Sequence, residues 1–99
     1  MDITIYEGAQ VAGTSRVILL DGSTAKIKNF IVFPEYRGKN VGRSLMEKIE
    51  NYLRENKIKK SILDSPKFIK RFYERSGYIQ EGLEFMVQDV PTVKMVKNY

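Results

Sequence analysis

One segment in the first half of the chain, residues 29–45, constrains the fold more than any other. Four apolar residues, Phe30–Phe33, are followed by Pro34 and by a basic loop with glycines at positions 38 and 42, and a helical pattern begins at Val41. An apolar run that ends at a proline indicates a strand buried in the middle of a sheet. A strand that leads into a helix predicts a right-handed crossover to a parallel strand.

The helix after this loop is the most strongly patterned element of the chain. Its apolar residues recur at helical spacing, which predicts a helix with one buried face over Val41–Asn56; they are Val41, Leu45, Ile49, Tyr52 and Leu53. Extended segments are predicted at Ile3–Tyr6, Val11–Leu20, Ala25–Phe33, Ser61–Leu63, Tyr78–Ile79, Leu83–Val87 and Thr92–Val96. We therefore expect Ala25–Phe33 and Ser61–Leu63 to be parallel neighbours.

A second helix is predicted from its end signals. Ser65 is a candidate N-cap, Pro66 suits a first turn and Gly77 suits a helix end. Its predicted apolar face consists of Phe68, Ile69, Phe72 and Tyr73. A turn is predicted at Asp89-Val90-Pro91. The expected fold class is α/β (α+β), one domain over residues 1–99 with a mixed sheet, antiparallel flanks and two helices.

Composition excludes several kinds of chemistry. The chain has no cysteine and no histidine, which excludes disulfides, thiolate catalysis and the common zinc, copper and haem sites. We expect no metal. No signal peptide and no apolar run of membrane-spanning length is present, so we expect a cytoplasmic protein without a membrane partner. The formal net charge of +5 attracts phosphate groups of any kind.

The loop before the first helix is suited to phosphate binding. Gly38 and Gly42 allow close approach of the backbone, and Arg37, Lys39 and Arg43 add positive charge. Free N–H groups at a helix N-terminus attract anions. An exposed basic turn is the alternative interpretation. The loop lacks the Gly-Lys-Ser/Thr ending of a Walker A motif and the glycine spacing of a dinucleotide fingerprint.

Residues Asn29–Leu45 closely resemble motif A of the GNAT superfamily of N-acetyltransferases, whose loop pattern is Arg/Gln-x-x-Gly-x-Gly/Ala. Arg37 and Gly42 match the ends of that pattern, and Asn40 stands where its first glycine is usual. Residues Arg71–Tyr78 are similar to the motif B of the same family. The resemblance implies a GNAT-like sheet with a central, splayed pair of parallel strands, and acetyl-CoA as the acyl-donor co-substrate.

The resemblance also implies where acetyl-CoA binds. The pantetheine arm is expected on the backbone of Phe30, Ile31 and Val32, although plain core packing is an alternative role for these residues. The pyrophosphate is expected on the loop formed by Arg37, Gly38, Lys39, Asn40, Val41 and Gly42, with Arg43 adding charge. The basic residues outside this loop are expected to be mostly solvated surface, and a subset of them is a candidate for the 3′-phosphate; they are Lys57, Lys59, Lys60, Lys67, Lys70, Arg71 and Arg75.

Two catalytic roles follow from the resemblance and from topology. Tyr73 corresponds to the tyrosine of motif B, whose proposed role is to protonate the departing thiolate; filling the apolar helix face is its alternative role. Asp64, at the end of Ser61–Leu63, is the nearest candidate for a base that deprotonates the amine. Capping the turn into the second helix is its alternative role, and water is an alternative base.

The predicted activity is acetyl transfer from acetyl-CoA to a primary amine by direct attack in a ternary complex. The family usually begins with a strand and two helices that the chain does not show, so we expect either an open acceptor site or a homodimer. An inactive GNAT-fold protein that binds acetyl-CoA or a partner is one alternative. A small basic nucleic-acid-binding domain is a second alternative, but the sequence contains no RNA-binding motif that supports it.

Overall fold

The computed structural model describes residues 1–99 and contains seven strands and two α-helices. Their order is β1 (Asp2–Glu7), β2 (Gln10–Leu19), β3 (Thr24–Val32), α1 (Val41–Glu55), β4 (Lys60–Pro66), α2 (Lys70–Arg75), β5 (Ile79–Gln80), β6 (Phe85–Val87) and β7 (Val90–Asn98). Short 3-10 turns at Pro34–Tyr36 and Lys67–Ile69 precede α1 and α2. Neither helix combines the length and the apolar composition that crossing a bilayer requires.

All seven strands form one sheet in the order β1-β2-β3-β4-β7-β5, with β6 also paired to β7. The β3–β4 pair is parallel, and every other pair is antiparallel. This arrangement follows from the connections, because hairpins join β1 to β2 and β2 to β3 whereas α1 carries the chain across from β3 to β4. The prediction of a mixed sheet with one central parallel pair and two helices is confirmed.

Both helices pack on the same face of the sheet. The buried residues of α1 are Val41, Leu45, Met46, Ile49 and Leu53. Tyr73 of α2 belongs to the same core cluster as Leu45 and Ile49. Lys97 of β7 contacts both Glu50 of α1 and the carbonyl of Ser76 after α2. Tyr52, predicted on the buried face of α1, is partly buried and packs at the edge of the core.

The parallel strands β3 and β4 separate soon after they begin. Their paired residues are limited to 24–26 of β3 and 60–62 of β4. Beyond that point β4 continues to Pro66 along β7, while β3 continues to Val32 along β2. The last six residues of β3 therefore have no partner in β4, and a gap opens in the middle of the sheet.

A bulge in β3 accompanies this separation. Arg16 pairs with Lys28 but Thr14 pairs with Ile31, so β3 carries one extra residue between these pairs. Asn29 has φ of 53°, a left-handed conformation that Asn tolerates better than most residues. The Ser15 hydroxyl donates to the carbonyl of Lys28 at 2.9 Å. A bulge bends its strand, which fits the divergence of β3 from β4.

The prediction that Phe30–Phe33 lies buried in the middle of the sheet is wrong. The side chain of Ile31 is 43% exposed and that of Phe33 is 37% exposed, and β3 ends at Val32. The reason is the gap, because a strand without a neighbour on one side leaves part of its surface uncovered. Apolar composition alone therefore predicted more burial than the topology provides.

The predicted start of the second helix is also wrong. Ser65 and Pro66 do not cap the helix but end β4, where they pair with Val93 and Thr92 of β7. The helix α2 begins only at Lys70, after the 3-10 turn. Phe68, predicted on its apolar face, precedes α2 and is 80% exposed. Pairing with a long neighbouring strand has overridden the local capping signals.

The last hairpin is tighter than predicted. The turn consists of Gln88 and Asp89, which have φ of 47° and 65°, as a two-residue turn of type I′ requires. Val90 and Pro91, predicted in the turn, are paired residues of β7. The preceding strand is shorter than the predicted Leu83–Val87, since β6 covers only Phe85–Val87 and Leu83 is almost fully exposed.

Candidate functional site

The loop that enters α1 presents a row of unpaired backbone amides. The N–H groups of residues 38–43 donate to no backbone carbonyl, and the first such hydrogen bond of the helix is from Ser44 to Asn40. No side chain caps this end of the helix. Such N–H groups need an acceptor from water or from a ligand. This amide cradle has the arrangement typical of anion-binding sites that the main chain builds.

Two residues in left-handed conformations give the loop its shape. Gly38 has φ of 77°, and Asn40, at the N-cap of α1, has φ of 62°. Asn40 occupies the position where the family pattern usually has glycine, and its backbone adopts the conformation that glycine would adopt readily. An added Cβ at Gly38 would meet nothing within 4 Å, so the conformation rather than the available space favours glycine there.

At Gly42, close contacts with neighbouring side chains favour glycine, rather than the backbone conformation. A Cβ added to Gly42 would lie 3.3 Å from Cε1 of Phe72 and 3.5 Å from Cγ2 of Val32. The absence of a side chain therefore lets the first turn of α1 approach α2 and the end of β3. This contact brings an aromatic wall next to the unpaired amides.

Positive charge collects at the same end of α1. The first turn of the helix contains no acidic residue, whereas Arg37, Lys39 and Arg43 surround it. Because the helix dipole already makes this end positive, these side chains add to a charge that attracts anions, although Arg43 also lies 3.5 Å from the carboxylate of Glu47. Arg37 is held near the loop by a hydrogen bond of 3.1 Å from its Nε to the carbonyl of Val32.

A cavity of about 640 Å³ lies over this cradle. Seven of the predicted cofactor-binding residues line it, namely Val32, Arg37, Gly38, Asn40, Val41, Gly42 and Arg43. Lys39 does not line it, and its ammonium instead lies 6.0 Å from the centre of the Tyr36 ring. Ile31 is outside the cavity, and Phe30 lines a different one.

The structure adds residues of α2 and its C-terminal end to this cavity. Phe72, Arg75 and Ser76 line it, and neither Phe72 nor Ser76 was predicted there. Their spacing of three and four residues places them on one face of a helix. This spacing was visible in the sequence, but only the packing of α2 against Gly42 shows which cavity that face lines.

A second cavity, of about 420 Å³, lies where β3 and β4 separate. Both predicted catalytic residues, Tyr73 and Asp64, line it together with Phe30. Phe30 also connects the two cavities through aromatic contacts, since its ring lies 5.4 Å from that of Phe72 and 5.8 Å from that of Tyr73. The gap in the sheet and the loop before α1 therefore form adjoining parts of one candidate site.

Tyr73 is buried among aromatic rings, and its hydroxyl forms no hydrogen bond with the protein. Its residue exposure is only 4%, and its ring makes edge contacts with Phe72 at 5.1 Å and Tyr78 at 6.2 Å. No buried polar side-chain atom lacks a partner, so the Tyr73 hydroxyl, which hydrogen-bonds no protein group, is open to the cavity. Burial, with a smaller effect from the neighbouring Tyr78, raises the pKa of Tyr73 to about 12.

Asp64 lies on β4 and faces the same gap from the other side. Its carboxylate is 44% exposed and lies 3.8 Å from Nζ of Lys26 on β3. The alternative role as a helix cap is wrong, because Asp64 pairs with Lys94 inside the β4–β7 ladder and α2 begins six residues later. Asp64 is thus free to contact a molecule in the cavity.

Comparisons with known proteins identify the family of the chain. The family model described as the acetyltransferase (GNAT) domain matches residues 3–99. The Bacillus subtilis (strain 168) protein named "Putative acetyltransferase BSU40680" is 30% identical over 96 residues, which cover 97% of this chain and 65% of the relative. An acetyltransferase from Streptococcus agalactiae is 31% identical and superposes with a TM-score of 0.77 over 95% of this chain and 63% of its own.

A more distant structure has the same fold. A GNAT family acetyltransferase from Elizabethkingia anophelis, solved with acetyl-CoA bound, is 12% identical and superposes with a TM-score of 0.83 over 97% of this chain and 74% of its own. The chain spans 65% of the length of this Bacillus subtilis relative, which is slightly less than two thirds. The family match covers nearly the whole chain and includes both cavities. The chain therefore belongs to the GNAT acetyltransferase family.

Proposed function

We propose that the protein is an N-acetyltransferase that moves the acetyl group of acetyl-CoA to a primary amine. The observation that carries the proposal is the row of six unpaired amides at residues 38–43, at the positive end of α1. Acetyl-CoA contains a pyrophosphate that suits this cradle, and it is bound in the Elizabethkingia anophelis neighbour. When bound, it supplies an activated acetyl thioester.

The residues present fit such a molecule. The amides of Gly38 to Arg43 bind the pyrophosphate oxygens, and the guanidinium groups of Arg37 and Arg75 add charge at the cavity wall. The backbone of Phe30, Ile31 and Val32 is free of a β4 partner, which supports its role in binding the amide-containing pantetheine arm. Lys39 contributes its backbone N–H and a positive charge.

Tyr73 and Asp64 take the two proton-transfer roles in this proposal. Tyr73 keeps its proton at neutral pH, since burial raises its pKa to about 12, and its hydroxyl lies at the cavity where the departing thiolate would accept a proton. The carboxylate of Asp64 accepts the proton that the amine loses. Both groups line the cavity between β3 and β4, where the acetyl group and the amine would meet.

Thiol release with a panel of primary amines tests the activity. Because the chain has no cysteine, a thiol-reactive dye reports free coenzyme A without background from the protein. We expect Tyr73→Phe to lower kcat by about 100-fold, within the usual range for general acid catalysis, with unchanged affinity for acetyl-CoA. Tyr52→Phe on α1 is the matched control and should retain full activity. Equal kcat for both variants would remove Tyr73 from the mechanism.

A second variant tests the base. Asp64→Asn removes the proton acceptor, and we expect the remaining activity to rise with pH as more of the amine becomes neutral in solution. A pH profile identical to that of the unmodified protein would favour water as the base. Acetyl-CoA binding without thiol release for any amine would favour the alternative of an inactive GNAT-fold binding protein.

A homodimer and a cytoplasmic location remain predictions from the sequence. Exposed apolar side chains at Phe68 and Leu83 are surface that a contact with a second subunit would cover. Light scattering of the purified protein should give twice the monomer mass. A monomer mass across the working concentration range would refute the homodimer.

A further inference from the structure

We propose that the acceptor amine carries a carboxylate close to its amino group, as a free amino acid or a peptide with an acidic N-terminal residue does. This inference rests on the proposed acetyltransferase function and names the substrate class of the same site. The observation behind it is the charge of the cavity between β3 and β4, which places two lysines beside Tyr73 and only one carboxylate.

The two lysines face the cavity for a simple geometric reason. Lys26 and Lys28 are two residues apart on β3, so their side chains lie on the same face of the sheet. Ile27 between them belongs to the core cluster under α1, and the lysines therefore lie on the face that carries no helix. An acceptor that approaches the gap from this open face meets both ammonium groups before it reaches Tyr73.

Only one of the two lysines is neutralised. Lys26 has the Asp64 carboxylate at 3.8 Å, whereas Lys28 takes part in none of the ion pairs of the protein. Lys94, the β7 neighbour of Asp64, is itself paired with Glu81 at 3.1 Å. The charge left at the cavity is therefore that of the Lys28 ammonium.

This charge discriminates between classes of amine. A carboxylate on the acceptor can pair with Lys28 while its amino group lies near Asp64 and Tyr73. An amine without an acidic group gains no such contact, and a polyamine brings further positive charges toward Lys28. Like charges brought together in a partly desolvated site repel. The cavity therefore selects zwitterionic or acidic acceptors against polycationic ones.

The test compares acceptors that differ only in the carboxylate. Phenylalanine and phenethylamine have the same ring and amino group, and spermidine represents the polyamines. We expect kcat/KM to be at least about tenfold higher for phenylalanine than for phenethylamine, and lowest for spermidine. The dipeptide amides Asp-Phe-NH2 and Asn-Phe-NH2 form a second matched pair, and comparing the pairs distinguishes a free amino acid from an acidic peptide terminus. The proposal would be overturned if neither carboxylate-bearing acceptor had a higher kcat/KM than its matched partner.

Charge reversal provides the control on the protein. Lys28→Glu should abolish or reverse the preference for the carboxylate-bearing acceptors, because the new carboxylate repels an acidic group and attracts the ammonium group of phenethylamine. Lys59→Glu makes the same charge change outside this cavity, beside Arg54 and Tyr99, and should preserve the preference. A preference retained in Lys28→Glu would overturn the proposal.

A binding measurement separates failure of this inference from failure of the proposed function. Absence of thiol release with every acceptor refutes the acetyltransferase proposal. Calorimetric titration of Asp-Phe-NH2 and phenylalanine into protein saturated with coenzyme A then decides the inference by itself. Binding of either ligand that is lost in Lys28→Glu and kept in Lys59→Glu supports an acidic-amine site. Binding of neither ligand, or equal binding to all three proteins, overturns it.

Discussion

Replacing Lys97 by methionine should destabilise the protein strongly, because Lys97 joins the sheet to both helices. Its ammonium donates to Oε1 of Glu50 at 2.9 Å and to the carbonyl of Ser76 at 2.7 Å. The side chains of Glu50 and Lys97 are only 13% and 26% exposed. Methionine occupies a similar volume, so the main change is that the carboxylate of Glu50 loses its ion-pair partner in a poorly solvated place.

The expected magnitude follows from this burial. Breaking a buried ion pair typically costs about 3–5 kcal/mol, and the partial exposure of Lys97 places the expected loss near the lower limit, at about 3 kcal/mol in the free energy of unfolding. For a domain of this size that loss lowers Tm by about 10 °C or more. The double variant Lys97→Met, Glu50→Gln should recover part of the loss, since an amide is less costly to leave unpaired than a carboxylate.

Urea unfolding followed by circular dichroism measures these differences. Lys67→Met is the matched control, because Lys67 also forms an ion pair of 2.9 Å, with Glu84, but the side chains are 62% and 40% exposed. Exposed pairs contribute at most about 1 kcal/mol, so the control should be nearly neutral. If Lys97→Met and Lys67→Met lose the same free energy, burial does not decide the contribution of these pairs and the reasoning is refuted.

Three further predictions concern tyrosines and the loop. Burial raises the pKa of both Tyr73 and Tyr78 to about 12 from a usual value of 10.0, so their contribution to stability is fully present below pH 10 and is lost as the pH rises through 12. Phenolate absorbance and Tm, each measured against pH, should therefore show a late transition. Titration of all tyrosines near pH 10 would contradict this prediction. The buried hydrogen bond of 2.6 Å between Ser61 and Tyr78 predicts that Ser61→Ala or Tyr78→Phe lowers the free energy of unfolding by about 1–3 kcal/mol. In urea unfolding, the double variant should lose less than the sum of the two single losses, and strictly additive losses would exclude the coupling. Asn40→Gly should keep acetyl-CoA binding and raise Tm slightly, whereas Asn40→Ala should lose about 1–2 kcal/mol; equal Tm values would show that the left-handed conformation carries no strain.

The sequence predicted the parts of the fold that depend on patterns along one element. The spacing of apolar residues predicted the end of α1 to within one residue of its observed position. This was possible because the buried face of an amphipathic helix can be read from the spacing of its own apolar residues. The loop pattern likewise located seven of the residues that line the cavity at the start of α1. The cavity is built around main-chain amides, and the glycine positions are the feature of the sequence that indicated them.

Features that depend on contacts between distant segments could not be predicted. Ser65 and Pro66 resemble a helix start by their local chemistry, but pairing with β7 makes them the end of a strand. The exposure of Ile31 depends on the separation of β4 from β3, which the family resemblance implied through its splayed pair of parallel strands but the apolar composition of Phe30–Phe33 did not. Asn29, which tolerates the left-handed conformation of the bulge, was the one local signal of the gap.

Calorimetric titration of acetyl-CoA tests the central claim, that the amide cradle before α1 binds the cofactor, most directly. Gly42→Glu places a side chain against Phe72 and a carboxylate in the cradle, whereas Gly22→Glu makes the same substitution at a position with nothing within 4 Å and no positive φ. We predict binding to the unmodified protein and to Gly22→Glu, and at least about a tenfold loss of affinity, or 1.4 kcal/mol, in Gly42→Glu, with the far-ultraviolet circular dichroism unchanged in all three. Equal affinity in all three proteins, or no binding to the unmodified protein, would contradict the account.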